Sequence, residues 1–270
     1  MTKKTSIILI VVAAIIAFVA GAWAFMGDYY EAEETAYIPE SCNVLAFAIN
    51  GYLATYTSDY TAEELEMDAV SSWHIADGIR HAKDYPNVKA VLLSVDSSGG
   101  DIPTGEEVAN ALKAIDIPSV AVIRSIGASA AYWAATGADT IFASRISDVG
   151  SIGVTASYLD ESSKNAQEGY TLVELSSAPH KDAGSPNRPL TVEEKAAVLS
   201  DLKKIHEVFV DDVAANRNLE RDKVAELANG LTYLGVDALE YGLIDKLGDF
   251  TAATDYIGEQ IGEPVELCWY

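Results

Sequence analysis

Apolar and polar positions change over in blocks along this chain. Short apolar runs at Val44 to Asn50, Val88 to Asp96, Ser119 to Arg124, Thr140 to Ala143 and Thr171 to Ser176 predict strands. Helical spacing predicts helices over Ser71 to Lys83, Glu106 to Ala114, Ser129 to Thr136 and Val192 to Asn216. The alternation implies an α/β fold. Thr191-Val-Glu-Glu194 is a capping-box signature ahead of the last helix, whose Ala197, Leu202, Ile205, Phe209 and Val213 read as one buried stripe against the core or another subunit.

One apolar block has a different character. Ile7 to Met26 carries no charge over 20 residues, about what a helix needs to cross a bilayer core. Lys3 and Lys4 precede it, whereas Asp28, Glu31, Glu33 and Glu34 follow, so the positive-inside rule puts the N-terminus in the cytoplasm and the rest outside. The competing reading is a cleavable signal peptide with a small-x-small site at Ala22-Trp-Ala24. The expected organisation is a cytoplasmic tip and transmembrane anchor over 1–26, a tyrosine- and glutamate-rich linker over 27–43, one domain over 44–262 and a tail over 263–270. A domain of that length can bury a sizeable core.

The formal net charge of -23 argues against nucleic-acid binding and against adhesion to anionic lipid, so membrane proximity is expected to come from the anchor. Cys42 and Cys268 fit no metal motif; a bond between them in an oxidising exterior competes with free thiols or an intermolecular link.

Candidate chemistry centres on Ser129. The strand at Ser119 breaks at Gly127 and passes into the small-residue run Ala128-Ser-Ala-Ala-Tyr132, which presents a hydroxyl at a strand-turn-helix junction. A serine there is most often a helix cap; as a nucleophile it needs a base and donors for an oxyanion. The Gly99-Gly100 pair after the Val88 strand offers backbone N–H groups, and the loop from Ser176 to Pro186 carries Lys181. A lysine with an ordinary pKa of about 10.4 becomes a base only when desolvated or set near other positive charge. The plain alternative is a solvated Lys181 paired with Asp182. Among the histidines, His180 ranks as the rival base, with His74, His81 and His206 read as structural or solvated. A nucleophile elbow of the α/β-hydrolase type would need a histidine late in the chain, and none follows His206.

With these motifs in order, the chain resembles the signal peptide peptidase A family of membrane-associated serine-lysine peptidases from about Val44 to Gly248. The resemblance rests on Ser97-Ser-Gly-Gly100, Gly127-Ala-Ser-Ala-Ala-Tyr132, Gly150-Ser-Ile-Gly-Val154, Pro179-His-Lys-Asp182 with Ser185-Pro186, Asn229 through Ala238, and Gly242-Leu-Ile-Asp245. It implies Ser129 as nucleophile, Lys181 as general base, Ser151 as the hydroxyl that orients the lysine, and the amides of Gly100 and Ala130 as the oxyanion hole. Ser98 in place of a proline, Ala130 and Ala131 in place of glycines, and Leu231 in place of an arginine depart from the family pattern without removing a catalytic side chain. The implied fold is a Clp protease and crotonase type spiral of strand-strand-helix units, assembling into a homo-oligomeric ring in which the serine and lysine of one site come from one subunit or from neighbours. The implied activity is endopeptidase cleavage of apolar segments, such as residual signal peptides or membrane-protein stretches, with no metal or organic cofactor. A membrane protease directed at stomatin-like proteins and a silent peptide-binding scaffold are the alternatives.

Overall fold

Strands β1 (Val44–Ala54) and β2 (Ala69–Ser71), helix α1 (Ser72–His81), β3 (Ala90–Gly100), α2 (Ile102–Lys113), β4 (Ser119–Ala128), α3 (Ala130–Thr136) and β5 (Thr140–Ala143) follow the predicted alternation. They are seen in a computed structural model that describes residue 39 and residues 41–57 and 68–270. The chain continues through β6 (Asp148–Gly150), α4 (Ser162–Gln167), α5 (Val192–Arg217), α6 (Arg221–Leu227), β7 (Thr232–Leu234), α7 (Gly235–Tyr241), β8 (Lys246–Leu247), α8 (Phe250–Ile261) and β9 (Leu267–Trp269). The sheet runs β2-β1-β3-β4-β5-β8 with every pair parallel. β9 shares the outer edge of β1 with β2, one at each end. In the same way β5 and β6 divide one edge of β4, and β7 joins β6 antiparallel.

A parallel sheet covered on both faces needs strands that are apolar throughout, and Ala90 through Val95 are all buried in β3. Val44, Ala46, Leu92, Val120, Val122 and Phe142 meet Ala253 and Ile257 of α8 on one face. The alternating residues Leu45, Phe47, Leu93 and Ile123 point the other way and are equally buried, beneath α1, α2 and α3. Truncating one of these, as in Leu93→Ala, carries a cost of about 2 to 5 kcal/mol.

Three expectations change. Thr171 to Ser176 is not a strand: no strand among the described residues runs beside it, so its backbone has no ladder to join, and Leu172, Val173 and Leu175 are exposed. The stripe on α5 is buried only in its second half. Phe209 and Val213 are covered, Leu202 and Ile205 half-covered and Ala197 exposed, because the first half of the helix extends past the core. The stretch read as a C-terminal tail supplies β9, and Cys42 and Cys268 form a disulfide that ties β9 to the start of β1.

No helix among the described residues is long and apolar enough to cross a membrane. The anchor expected over 1–26 lies outside the described residues, as does most of the expected linker.

Candidate active site

Ser129 sits between β4 and α3 with φ 53° and ψ -128°, a region that residues with a side chain rarely occupy. Such a conformation persists only where its surroundings impose it. Here the Ser129 N–H donates to Gly150 O at 2.8 Å and its carbonyl accepts from Trp133 N at 2.9 Å. Three residues on, Tyr132 is fully buried and donates its hydroxyl to Leu243 O at 2.8 Å, and burial pushes that phenol's pKa far up. The junction is therefore held from both sides. The helix-cap reading fails, since the Ser129 side chain makes no capping bond and no other hydrogen bond among the described residues.

Gly99 explains why the preceding strand ends in glycines. Its φ is +118°, and a Cβ there would stand 2.8 Å from Ser129 Cβ. At Gly100 the corresponding atom would meet Leu53 O at 1.8 Å. Ser151 is the second serine with a positive φ, at 49°. Its N–H donates to Leu231 O at 3.0 Å and its hydroxyl to Gly230 O at 3.1 Å, which leaves the oxygen lone pairs free to accept.

These residues converge. Ser129, Ser151, Gly100 and Ala130 all line one open cavity of about 560 Å³, with Ser98, Thr155 and Asn229 as further polar groups and Ile102, Trp133, Val154 and Phe209 as apolar wall. Trp133 stacks on Phe209 at 4.3 Å with the rings 8° apart, which joins α5 to the helix that follows the serine. A partly exposed hydroxyl beside backbone donors is suited to attack on a carbonyl.

Lys181 does not line this cavity. It is exposed on the long excursion between β6 and α5. That excursion is fastened to the first turn of α5 near Glu194, while the cavity is first met twelve residues later at His206, about 18 Å along a helix rising 1.5 Å per residue. The plain reading of Lys181 holds in part: the side chain is solvated, but Asp182 pairs with Arg188 at 3.2 Å and Lys181 has no ion pair among the described residues. His180 is directed to Glu194, 3.6 Å away, and like His74 and His81 is no part of the cavity wall.

His206, expected to be structural or solvated, lines the cavity and is the one ionisable side chain among the described lining residues. The signal was its position three residues before Phe209, which puts both on one helix face. No cluster of potential metal ligands occurs among the described residues.

The parallel sheet with helices on both faces defines an α/β fold of the Clp protease type. The family model Peptidase family S49 matches residues 111–262, and the chain belongs to that family. It is 35% identical to a putative signal peptide peptidase of Enterococcus faecium over 64% of this chain and 51% of that protein. Identity is 34% to a putative protease of Methanocaldococcus jannaschii, over 60% of this chain and 53% of that one. A chloroplastic serine protease of Arabidopsis thaliana is 28% identical over 76% of this chain and 29% of its own length. The chain thus spans about half the length of the first two relatives, and less of the third. Among solved structures, a ClpP1 mutant from Listeria monocytogenes aligns with a TM-score of 0.51 at 12% identity, covering 77% of this chain and 93% of that one, a likeness of fold alone.

Proposed function

We propose that this chain is a membrane-anchored serine endopeptidase that cuts peptide bonds within apolar segments, residual signal peptides among them. The observation that carries the reading is the unbonded Ser129 hydroxyl, held in a strained backbone at the mouth of a cavity lined by Gly100, Ala130 and Ser151. Ser129 Oγ attacks the scissile carbonyl, and the amides of Gly100 and Ala130 receive the oxyanion. The serine proton passes to a neutral Lys181 amine, then to the leaving amine; water repeats the cycle on the acyl-enzyme. Ser151 accepts a hydrogen bond from the lysine and keeps its lone pair toward Ser129.

A base must be within hydrogen-bond reach, and Lys181 does not line the cavity of its own chain. In the proposed mechanism it therefore reaches Ser129 of a neighbouring copy, whose surface also supplies the desolvation a lysine base requires. Two features support a neighbour. Tyr158, Leu159, Tyr170, Leu172, Val173 and Leu175 are exposed along the excursion that carries Lys181, and Val192, Val198 and Leu199 are exposed on the free half of α5. So many large apolar side chains left in water on two successive segments favour a contact face. The membrane anchor, the outward orientation and the substrate class rest on the uncharged 7–26 segment and on the family resemblance.

The competing reading makes His206 the base within one chain, favoured by its place on the cavity wall. The test is hydrolysis of an apolar fluorogenic peptide by the full-length chain in detergent, beside Ser129→Ala, Lys181→Ala and His206→Gln. Loss of turnover in the first two, with His206→Gln active, is the expected result. An active Lys181→Ala with a dead His206→Gln would transfer the role of base to histidine. Peptide binding without cleavage by the parent chain would favour the silent scaffold.

A further inference from the structure

Glu194 is out of keeping with its neighbours. It is 3% exposed in a stretch, 191–200, where every other residue is exposed. Its carboxylate receives both terminal nitrogens of Arg188, at 2.7 and 2.8 Å, and the Thr191 N–H at 2.9 Å. The same guanidinium reaches Asp182 at 3.2 Å, and its Nε lies 3.8 Å from Glu174, which also accepts from the Ser185 hydroxyl. His180 Nδ1 stands 3.6 Å from Glu194 Oε1. Both chain neighbours of Lys181 are thus turned toward one cluster.

The backbone between them is equally constrained. Lys181 N donates to Ala178 O at 3.2 Å, Ala183 N to His180 O at 3.3 Å and Ser185 N to Asp182 O at 3.0 Å, three successive overlapping turns, the first two of which contain the lysine. With 180 and 182 directed to the Arg188 and Glu194 pair, the Lys181 side chain is left outside the cluster, exposed and without an ion pair among the described residues.

Stability is a poor reason for this arrangement. Burying a carboxylate and a guanidinium costs desolvation that an apolar pair of similar volume would not incur. A bidentate fork contributes instead a single relative orientation of the two groups it joins. Here it joins the 178–188 turn to the first turn of α5, and α5 is continuous to Phe209, which stacks on Trp133. The Arg188 hydrogen bonds, followed by that from Thr191, hold the Glu194 carboxyl far below its usual range, so the pair stays ionised wherever the peptidase could work.

We propose that Arg188 and Glu194 are positioning residues, a clamp that fixes the 178–188 turn on α5 and presents Lys181 outward in the orientation needed to meet Ser129 of a neighbouring copy. The proposal rests on Lys181 being the base. The clamp forms within one chain, so the lysine is oriented before assembly rather than by it.

The experiment is steady-state hydrolysis of the same fluorogenic peptide by the full-length chain, across pH, for Arg188→Gln, Arg188→Lys, Glu194→Gln and Lys181→Ala. Glu194→Gln keeps an oxygen for the Thr191 cap, and Arg188→Lys keeps a charge without the fork. Melting temperature and assembly size are measured beside each. Loss of orientation predicts that Arg188→Gln and Glu194→Gln lower kcat by about 10- to 100-fold with KM nearly unchanged, and shift the midpoint of the pH profile. Arg188→Lys falls between these and the parent. Unchanged kcat and pH profile in folded, assembled Arg188→Gln or Glu194→Gln would overturn the clamp, as would losses matching the unfolded fraction in all three variants. If Lys181→Ala is inactive while the clamp variants behave as the parent, only this inference fails; if Lys181→Ala is active, the reading beneath it fails as well.

Discussion

Gly99→Ala tests whether the strand beside Ser129 sets the serine's geometry. A methyl at this position would lie 2.8 Å from Ser129 Cβ, 3.1 Å from Ala128 O and 3.2 Å from Ala130 N. Carbon atoms pack best at about 3.5 to 4.0 Å, so Ser129 or the end of β3 must move by about 1 Å. The φ of +118° adds backbone strain of about 1 to 3 kcal/mol. A displacement of about 1 Å at a reacting atom costs on the order of 100-fold in rate, or about 2.7 kcal/mol of barrier. Gly262→Ala is the control: its φ is +74° and nothing lies within 4 Å, so it carries left-handed strain of about 1 to 2 kcal/mol without a collision. Both variants should melt lower than the parent, but only Gly99→Ala should lose kcat on the fluorogenic peptide. A Gly99→Ala protein that retains kcat within twofold would refute the idea that this contact holds the nucleophile in place.

Three further outcomes follow from the same geometry. Mixing dissociated Ser129→Ala and Lys181→Ala chains in equal amounts and reassembling them should restore about a quarter of parental activity, the fraction of head-to-tail contacts that join an intact serine to an intact lysine; no recovery would place both residues in one chain. Cys42→Ser or Cys268→Ser should lower the unfolding free energy in denaturant by about 2 to 4 kcal/mol, matched by reduction of the parent, because the disulfide closes nearly the whole domain and holds β9 on β1. Since Arg188 holds the Glu194 carboxyl below its ordinary value, the stability this contributes is complete above about pH 4.3 and lost as pH falls toward the folded value. The melting temperature of the parent should therefore drop more steeply below about pH 4 than that of Glu194→Gln, and parallel slopes would refute the assignment.

The central strands were legible because a parallel sheet buried on both faces forces unbroken apolar runs, and β3 and β4 read that way without context. β4 still ran four residues past its expected end at Arg124, since Ile126, Gly127 and Ala128 pair with β6, whose partners cannot be seen locally. The Thr171 to Ser176 run had the composition of a strand and lacked a neighbour, which composition does not encode. On α5 the spacing of apolar residues was correct and its reading was not: periodicity identifies a face, and only the fold decides that Phe209 is covered while Ala197 is exposed. The disulfide and β9 belong to the same class, depending on two chain ends meeting across 226 residues.

The candidate site divides along the same line. Ser129, Gly100, Ala130 and Ser151 sit at the C-terminal ends of the neighbouring strands β3, β4 and β6, so three ordered motifs were enough to collect them in one cavity. Lys181 belongs to the excursion, where the backbone follows its own hydrogen bonds and ion pairs. A residue type and its flanking motif can be read from sequence, but the identity of the chain that uses it cannot. On the proposed reading this separation has a chemical consequence. On a single chain Lys181 stands in water away from the cavity, and a serine without a base in reach stays a weak nucleophile. Both deficits are removed by one contact, which would bury the lysine and deliver it to the serine together. The chain alone would then carry two inert halves of a site, and cleavage would begin only where copies meet.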